Sequence, residues 1–445
     1  MSAAVPHRSR EETLRAADRG RIAAARTAGR PLLLMLLLAG PGTLVMIGEN
    51  DGPSMLSYAT TGARYGVGFF VPFILLTFAM AYVVQEMTIR VGIATGRGHA
   101  ELIYDRFGAR WGRFTLVNLF MGNVLTLVAE FVAVRAGAAY FGIPPAVAVV
   151  TAVGIVFGAY ATRRYARWER VLMTLALGNL LFVPAALFAH PDPRAIATAI
   201  GTWAPLPGGV NAEFLTLLLA NIGATVTPWM LFFQQGAVVD KGLTRADLTQ
   251  GRLDTAFGAG IAAVVAIATL VAAAPLFAHR IDASSLAGGA DFATALRPFV
   301  GTTGAALFAL GLIEAGIVAA ATIATSSAYA VGEVAHGAKS LNASFLEATK
   351  FYGSSIGSIA VAAAFVLIPG IPLLAITIGV NVVATLLMAP SLLLLLLLSS
   401  DRRSMGDLVN SFRANLVAGS VAIGIASLGA LYGAVTLTQL IPHGR

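Results

Sequence analysis

The stretch Gly48-Glu49-Asn50-Asp51-Gly52-Pro53-Ser54 sets two carboxylates, an amide and a hydroxyl beside a Gly-Pro breaker, within an otherwise apolar segment. Oxygen donors of this kind bind cations. Leu32 to Val45 reads as one membrane helix, and a helix-compatible pattern resumes at Met55. Charged groups at membrane depth are costly and mark substrate or ion pathways with a partner close by. Irregular backbone at that depth persists only where it lines a cavity or is buried in protein. A second cluster, Asn221-Ile222-Gly223-Ala224-Thr225-Val226-Thr227-Pro228-Trp229-Met230, has the same character. Pro228 removes an amide donor and frees carbonyls near Ala224. Taken alone, that cluster reads equally well as a proline kink.

The elements that carry these two clusters follow from composition. The chain has 445 residues, 57% hydrophobic and only 12% charged, which places it among polytopic membrane proteins. Apolar runs of spanning length fall at 32–60, 67–92, 113–141, 144–162, 169–189, 213–239, 252–278, 298–330, 351–369, 372–399 and 412–438. The loops that follow even-numbered segments are basic: Arg97, Arg106 and Arg110; Arg163, Arg164, Arg167 and Arg170; Lys241 and Arg245; Lys339 and Lys350; Arg402 and Arg403. The other loops are sparse in basic residues. The positive-inside rule then puts the amino terminus in the cytoplasm and the carboxyl terminus outside, in a cell (inner) membrane. The net charge of +8 belongs to this bias and does not indicate nucleic acid.

Residues 1–31, with Arg8, Arg10, Arg15, Arg19, Arg21, Arg26 and Arg30, read as a basic cytoplasmic tail, partly helical along the headgroups. Cysteine is absent, which removes disulfides, thiolate metal sites and cysteine nucleophiles. The six histidines (His7, His99, His190, His279, His336 and His443) lie at segment ends or in loops and form no metal pair at helical spacing. No nucleotide loop, nucleophile elbow or catalytic pair appears, so an enzyme is not expected.

The spacing of the two clusters changes their meaning. If segments 1–5 (32–189) and 6–10 (213–399) are two halves, each half opens with its broken helix. Paired interrupted segments at corresponding positions point to an inverted-repeat transporter with a midplane site. Five spans per half force the second half to start from the opposite face. Residues 190–212 then form an extracellular loop, and 400–445 hold an appended eleventh helix and the carboxyl terminus. The fold class expected is an all-α polytopic inverted repeat with helices 1 and 6 interrupted.

Several short pieces carry a family resemblance: Gly40-Pro41-Gly42; Gly92-Ile93-Ala94-Thr95-Gly96 with Ala100-Glu101-Leu102-Ile103; Phe141-Gly142-Ile143-Pro144; Gly223-Ala224-Thr225-Val226; and Ser400-Asp401-Arg402-Arg403-Ser404-Met405-Gly406. Together they resemble the natural resistance-associated macrophage protein (NRAMP) family of divalent-metal transporters, within the LeuT-fold superfamily. That family's helix-one break usually reads Asp-Pro-Gly-Asn, where this chain has Asp51-Gly52-Pro53-Ser54. Its helix six usually carries Met-Pro-His, where this chain has Thr227-Pro228-Trp229. Its helix three offers an aspartate for a proton route, where Thr126 stands here. Arginines usually open helix nine, where this chain reads Lys350-Phe351-Tyr352. The pattern looks like the divergent NRAMP-related magnesium transporters, which lack the methionine and are thought not to couple to protons.

The resemblance implies an all-oxygen metal site of Asp51, Ser54, Thr227 and the carbonyls of Gly48 and Ala224, with Asn381 closing over the ion. A thioether favours soft ions, whereas carboxylate, hydroxyl and water suit magnesium, calcium or manganese. Magnesium dehydrates reluctantly and binds through one or two carboxylates with water retained. The expected cargo is therefore partly hydrated magnesium, with manganese also accepted, carried by a monomer in the bilayer with no cofactor.

Glu49 either joins the cation site or pairs with Arg135. Glu130 either pairs with Arg135 in the same helix or serves a residual proton or ion route. Glu314, mid-helix eight, has no basic partner in its helix and suits a vestibule or a neutral buried acid equally. Trp229 fits cavity packing better than a cation contact. Three rivals remain: a proton-coupled manganese or iron importer, an organic-substrate carrier of the same fold, and a non-transporting metal sensor.

Overall fold

The computed structural model describes residues 10–281, 286, 289–335, 337–369 and 373–440. His7, Arg8, His336, His443 and the start of segment ten at 372 lie outside them. All eleven apolar segments are helical, and no strand occurs among the described residues. Eight helices are each long and apolar enough to cross a membrane, or nine with the bent pair Pro31–Leu38 and Pro41–Gly48 taken as one span. Pro145–Ala161 is apolar but shorter, and Thr349–Val366 completes the eleven.

In chain order, α1 (Arg10–Thr27) precedes the first span, which is α2 (Pro31–Leu38), α3 (Pro41–Gly48) and α4 (Gly52–Tyr65). Next come α5 (Phe70–Thr95), the short α6 (His99–Phe107), α7 (Ala109–Tyr140) and α8 (Pro145–Ala161). The fifth span runs through α9 (Tyr165–Leu175), a 3₁₀ turn (Ala176–Leu181) and α10 (Phe182–Leu187). The loop expected at 190–212 contains a helix of its own, α11 (Pro193–Thr202). The second half opens with α12 (Ala212–Gly223) and α13 (Pro228–Lys241), then α14 (Leu248–Ala278), α15 (Gly289–Val334), α16 (Thr349–Val366) and α17 (Leu373–Ser399). After α18 (Arg402–Met405), α19 (Phe412–Leu440) is the eleventh span.

The packing repeats across the two halves. Helix one (α3, α4) lies on helix seven (α14), and helix six (α13) lies on helix two (α5). Helix three (α7) touches helix ten (α17), and helix eight (α15) touches the fifth span. Helices three and eight, α7 and α15, form the most extensive contact in the molecule and pair the halves at their centre. Each contact between halves thus has its exchanged counterpart, which is the architecture of a LeuT-type inverted repeat.

One expectation is corrected. Leu32 to Val45 is not one helix: α2 and α3 meet at a 52° bend. Pro41 cannot supply the amide that would continue α2, and Gly40 adopts φ 149°, a conformation open to glycine. The loosened backbone is held from outside. Asp254 on α14 accepts the Gly40 and Gly42 amides at 3.2 and 2.7 Å and the Thr43 hydroxyl at 2.6 Å. The Lys241 ammonium donates to the Ala39 carbonyl at 2.7 Å.

α1 docks on the body through Arg26–Asp247 and Asp18–Arg164 ion pairs. It buries Ile22 against a cluster that includes Leu38, Ile93 and Val238.

Candidate cation site at the paired helix breaks

The first break is short. α3 stops at Gly48, Glu49 and Asn50 continue as turn, and α4 starts after Asp51. In a membrane an unpaired peptide group costs several kcal/mol, so such a break survives only with substitute partners. Asp51 supplies one as the N-cap of α4, its Oδ1 accepting the Ser54 amide at 2.8 Å. Glu130 on α7 supplies the next, its Oε2 accepting the Gly52 amide at 3.0 Å. Asn50 turns away from the break and donates its amide to the Ala262 carbonyl on α14. Gly52 itself has no room for a side chain, because Ala133 of α7 fills that space.

The second break runs from Ala224 to Thr227, with Pro228 at the first turn of α13. Tyr58 on α4 crosses to it, donating its hydroxyl to the Ala224 carbonyl at 2.8 Å. Thr225 donates to the Asn221 carbonyl at 2.7 Å, and Asn221 donates to Thr61 on α4 at 2.7 Å. Thr227 does not cap its own helix. Its hydroxyl instead donates to Glu49 Oε2 at 2.8 Å, which joins the two breaks directly. Trp229 lies against Gly48 and packs on Phe233, with ring centroids 5.9 Å apart, as a wall residue.

The two pairings offered for Arg135 do not form. Its guanidinium donates to the Val366 carbonyl at 2.9 Å. Glu49, Asp51 and Glu130 are all fully buried, and the charges that bear on them are one another's. Glu49 Oε1, Ser54 Oγ and Glu130 Oε1 are buried without a hydrogen-bond partner. A buried carboxylate needs a counter-charge or a proton. Three carboxyls lie around the first break, and among the described residues none of them is bonded to an ammonium or guanidinium. The carbonyl ends of α3 and α12 both terminate at the breaks.

The sequence-based site residues fare unequally. Glu49, Asp51, Ser54, Thr227, Gly48 and Ala224 all sit at the two breaks. The Ala224 carbonyl already accepts Tyr58, although a carbonyl has a second lone pair to offer. Asn381 on α17 faces Ser57 at 3.0 Å, one turn into α4, and its own carbonyl presses on Gly223. Thr126 is held within its own helix, donating to Gly122. Glu314 lies elsewhere, accepting the Asn179 amide of the fifth span at 3.0 Å. Tyr58 was not anticipated. A tyrosine one turn beyond a break carries no special signal until the second break is known to lie opposite. Among the described residues, no group of three or more His, Cys, Asp and Glu side chains is arranged to hold a metal ion.

The fold is that of a membrane carrier of the LeuT type, with two interrupted helices facing each other. The chain matches the family model described as natural resistance-associated macrophage protein-like over residues 42–434, and it belongs to that family. A divalent metal cation transporter, MntH, from Listeria innocua is 25% identical over 421 residues, covering 90% of each chain. MntH 1 from Pseudomonas aeruginosa is 29% identical over 305 residues, 64% of this chain and 67% of its own. Among solved structures, a point variant of the Eremococcus coleocola manganese transporter superposes with TM-score 0.72 at 18% identity, over 93% of this chain and 89% of that one. MhsT in complex with L-phenylalanine superposes at 0.58, with 13% identity, over 89% and 98%.

Proposed function

We propose that the protein carries a hard divalent cation across the membrane, magnesium first and manganese also, partly hydrated and without moving a proton. The observation that carries this reading is the make-up of the two breaks. Glu49 accepts the Thr227 hydroxyl, and Asp51 and Glu130 accept the Ser54 and Gly52 amides beside an unpartnered Ser54 hydroxyl, with a hydroxyl at Thr227 where a thioether would favour softer ions. An octahedral ion that keeps several waters needs carboxylates for charge and hydroxyls to orient those waters. Asp51 and Glu49 would repel the carboxylate of an amino-acid substrate, which disfavours the organic-substrate reading. Family relatives named as divalent metal cation and manganese transporters support the cation class. The absence of a histidine after Pro228, and of an acid at Thr126, supports the lack of proton coupling. Placement in an inner membrane as a monomer, amino terminus inside, belongs to the same proposal.

A proton-coupled importer is the second reading, favoured by Glu130, whose Oε1 is buried without a partner beside the first break. Proteoliposomes loaded with a magnesium-sensitive dye and a lumenal pH dye decide between them. Magnesium entry with no pH change is expected, with manganese accepted and calcium run beside it. No magnesium signal sinks the cargo assignment, and acidification that depends on the metal sinks the uncoupled reading.

A further inference from the structure

On the face where α1 docks, most arginines are already engaged by the protein. Arg15 pairs with Glu11 and Arg26 with Asp247, while Arg164 holds Asp18. Arg19 and Arg10 donate to the carbonyls of Gly242 and Arg163. Three others differ. Arg21 on α1, Arg30 at the entry to α2 and Arg170 on α9 line one crevice of about 600 Å³. Among the described residues none makes an ion pair, and Arg170 donates to the Ala166 carbonyl of its own helix. The rest of the crevice is apolar: Ala24, Ala25, Ala28, Leu33, Leu36 and Leu37. Leu33 and Leu36 are 40% and 68% exposed, and the apolar surface continues onto Leu32 and Met35.

Three cations around one concavity repel each other unless an anion sits between them. An inorganic anion would answer the charge but leave Leu33 and Leu36 bare. A ligand with a negative head and a hydrocarbon tail satisfies both. Basic pockets between membrane helices bind anionic headgroups in this way. We infer that the crevice between α1, α2 and α9 is a binding site for one anionic phospholipid, its phosphate among Arg21, Arg30 and Arg170 and an acyl chain along Leu33 and Leu36.

Occupancy would tie three separate elements together. α2 is the outer piece of the broken first span, hinged at Ala39–Gly40, where Lys241 and Asp254 hold the bend. Lys241 also pairs with Glu169 on α9, 2.9 Å away, in an adjoining crevice that shares Arg21, Leu36, Leu37 and Arg170. A lipid bridging α1, α2 and α9 therefore stiffens the amino-terminal end of the first span. The site does not depend on which cation is carried.

The test uses the full chain, delipidated in detergent and given phosphatidylglycerol, phosphatidylcholine or sodium phosphate. One phosphatidylglycerol should remain bound in native mass spectrometry and raise the melting temperature, and the other two should do neither. Each arginine replaced by glutamine should weaken binding about fivefold. Arg21→Gln/Arg30→Gln/Arg170→Gln should therefore lose the bound lipid, whereas Arg167→Gln, outside the crevice, should keep it. If the triple variant does not fold, Arg170→Gln on the exposed rim gives the same reading at the single-site scale. Equal retention by wild type and crevice variants, or stabilisation by phosphate alone, overturns the proposal.

Discussion

Asp51 and Thr227 hold the same position, the N-cap of the half-helix that follows each break, and they use their side chains in opposite ways. Asp51 turns back on its own helix and caps it at the Ser54 amide. Thr227 leaves α13 uncapped and reaches across to Glu49. The first break therefore gathers the carboxyls, and the second supplies neutral oxygens and a strut that fixes where Glu49 points. On the function proposed above, one half would attract the cation and the other would shape its surroundings.

The comparison breaks most sharply at Asp51. Asparagine caps a helix nearly as well as aspartate, so Asp51→Asn should keep α4 and lose the charge. Magnesium uptake into dye-loaded proteoliposomes should fall at least about 100-fold, beyond the loss seen when groups that merely orient a ligand are removed. Unchanged uptake would move the charge centre away from the first break.

Glu49→Gln comes next. Glutamine still accepts the Thr227 hydroxyl, so a purely structural Glu49 predicts unaltered transport. A cation-attracting Glu49 predicts an apparent affinity lower by about tenfold, read from the magnesium dependence of uptake. That variant decides whether the first break holds one working charge or two.

Thr227→Met tests the neutral side. A thioether there should move the ratio of manganese or cadmium uptake to magnesium uptake upward by about tenfold. An unmoved ratio would mean that Thr227 supports Glu49 without touching the ion.

The smallest effect concerns the scaffold of the second break. A methyl group at Gly223 would press on the Asn381 backbone carbonyl and the Thr385 hydroxyl of α17. Gly223→Ala should lower stability by about 1–3 kcal/mol in a detergent melt. Gly353→Ala, where nothing lies within 4 Å, should not. Equal melting of the two would show that α17 yields to the break and does not define it.

Much of this was legible in the residues. Pro53 and Pro228 each remove an amide donor inside a polar cluster, which marks the two breaks. Two polar interruptions at matching positions in two five-span halves gave the inverted repeat. The bend inside Leu32–Val45 was missed because the run is uniformly apolar, and apolarity reports membrane depth without reporting direction. Glu49, Glu130 and Arg135 were undecided for a different reason. Pairing depends on which neighbouring helix each side chain meets, and periodicity within one helix cannot say. The structure gives Glu130 to the Gly52 amide and Arg135 to a carbonyl of α16.

The sequence by itself determined where the chain must cross a bilayer, where its helices must break, and that the breaks hold oxygen donors and carboxylates without cysteine or histidine. These are local properties, set by peptide chemistry and the cost of burying charge. Only the tertiary structure decided that Thr227 meets Glu49, that Tyr58 spans the breaks and that Glu130 reaches the Gly52 amide beside Asp51. Those contacts join residues up to 178 positions apart. They exist because packing α7 against α15 brings the two halves face to face, which no pattern within either half encodes.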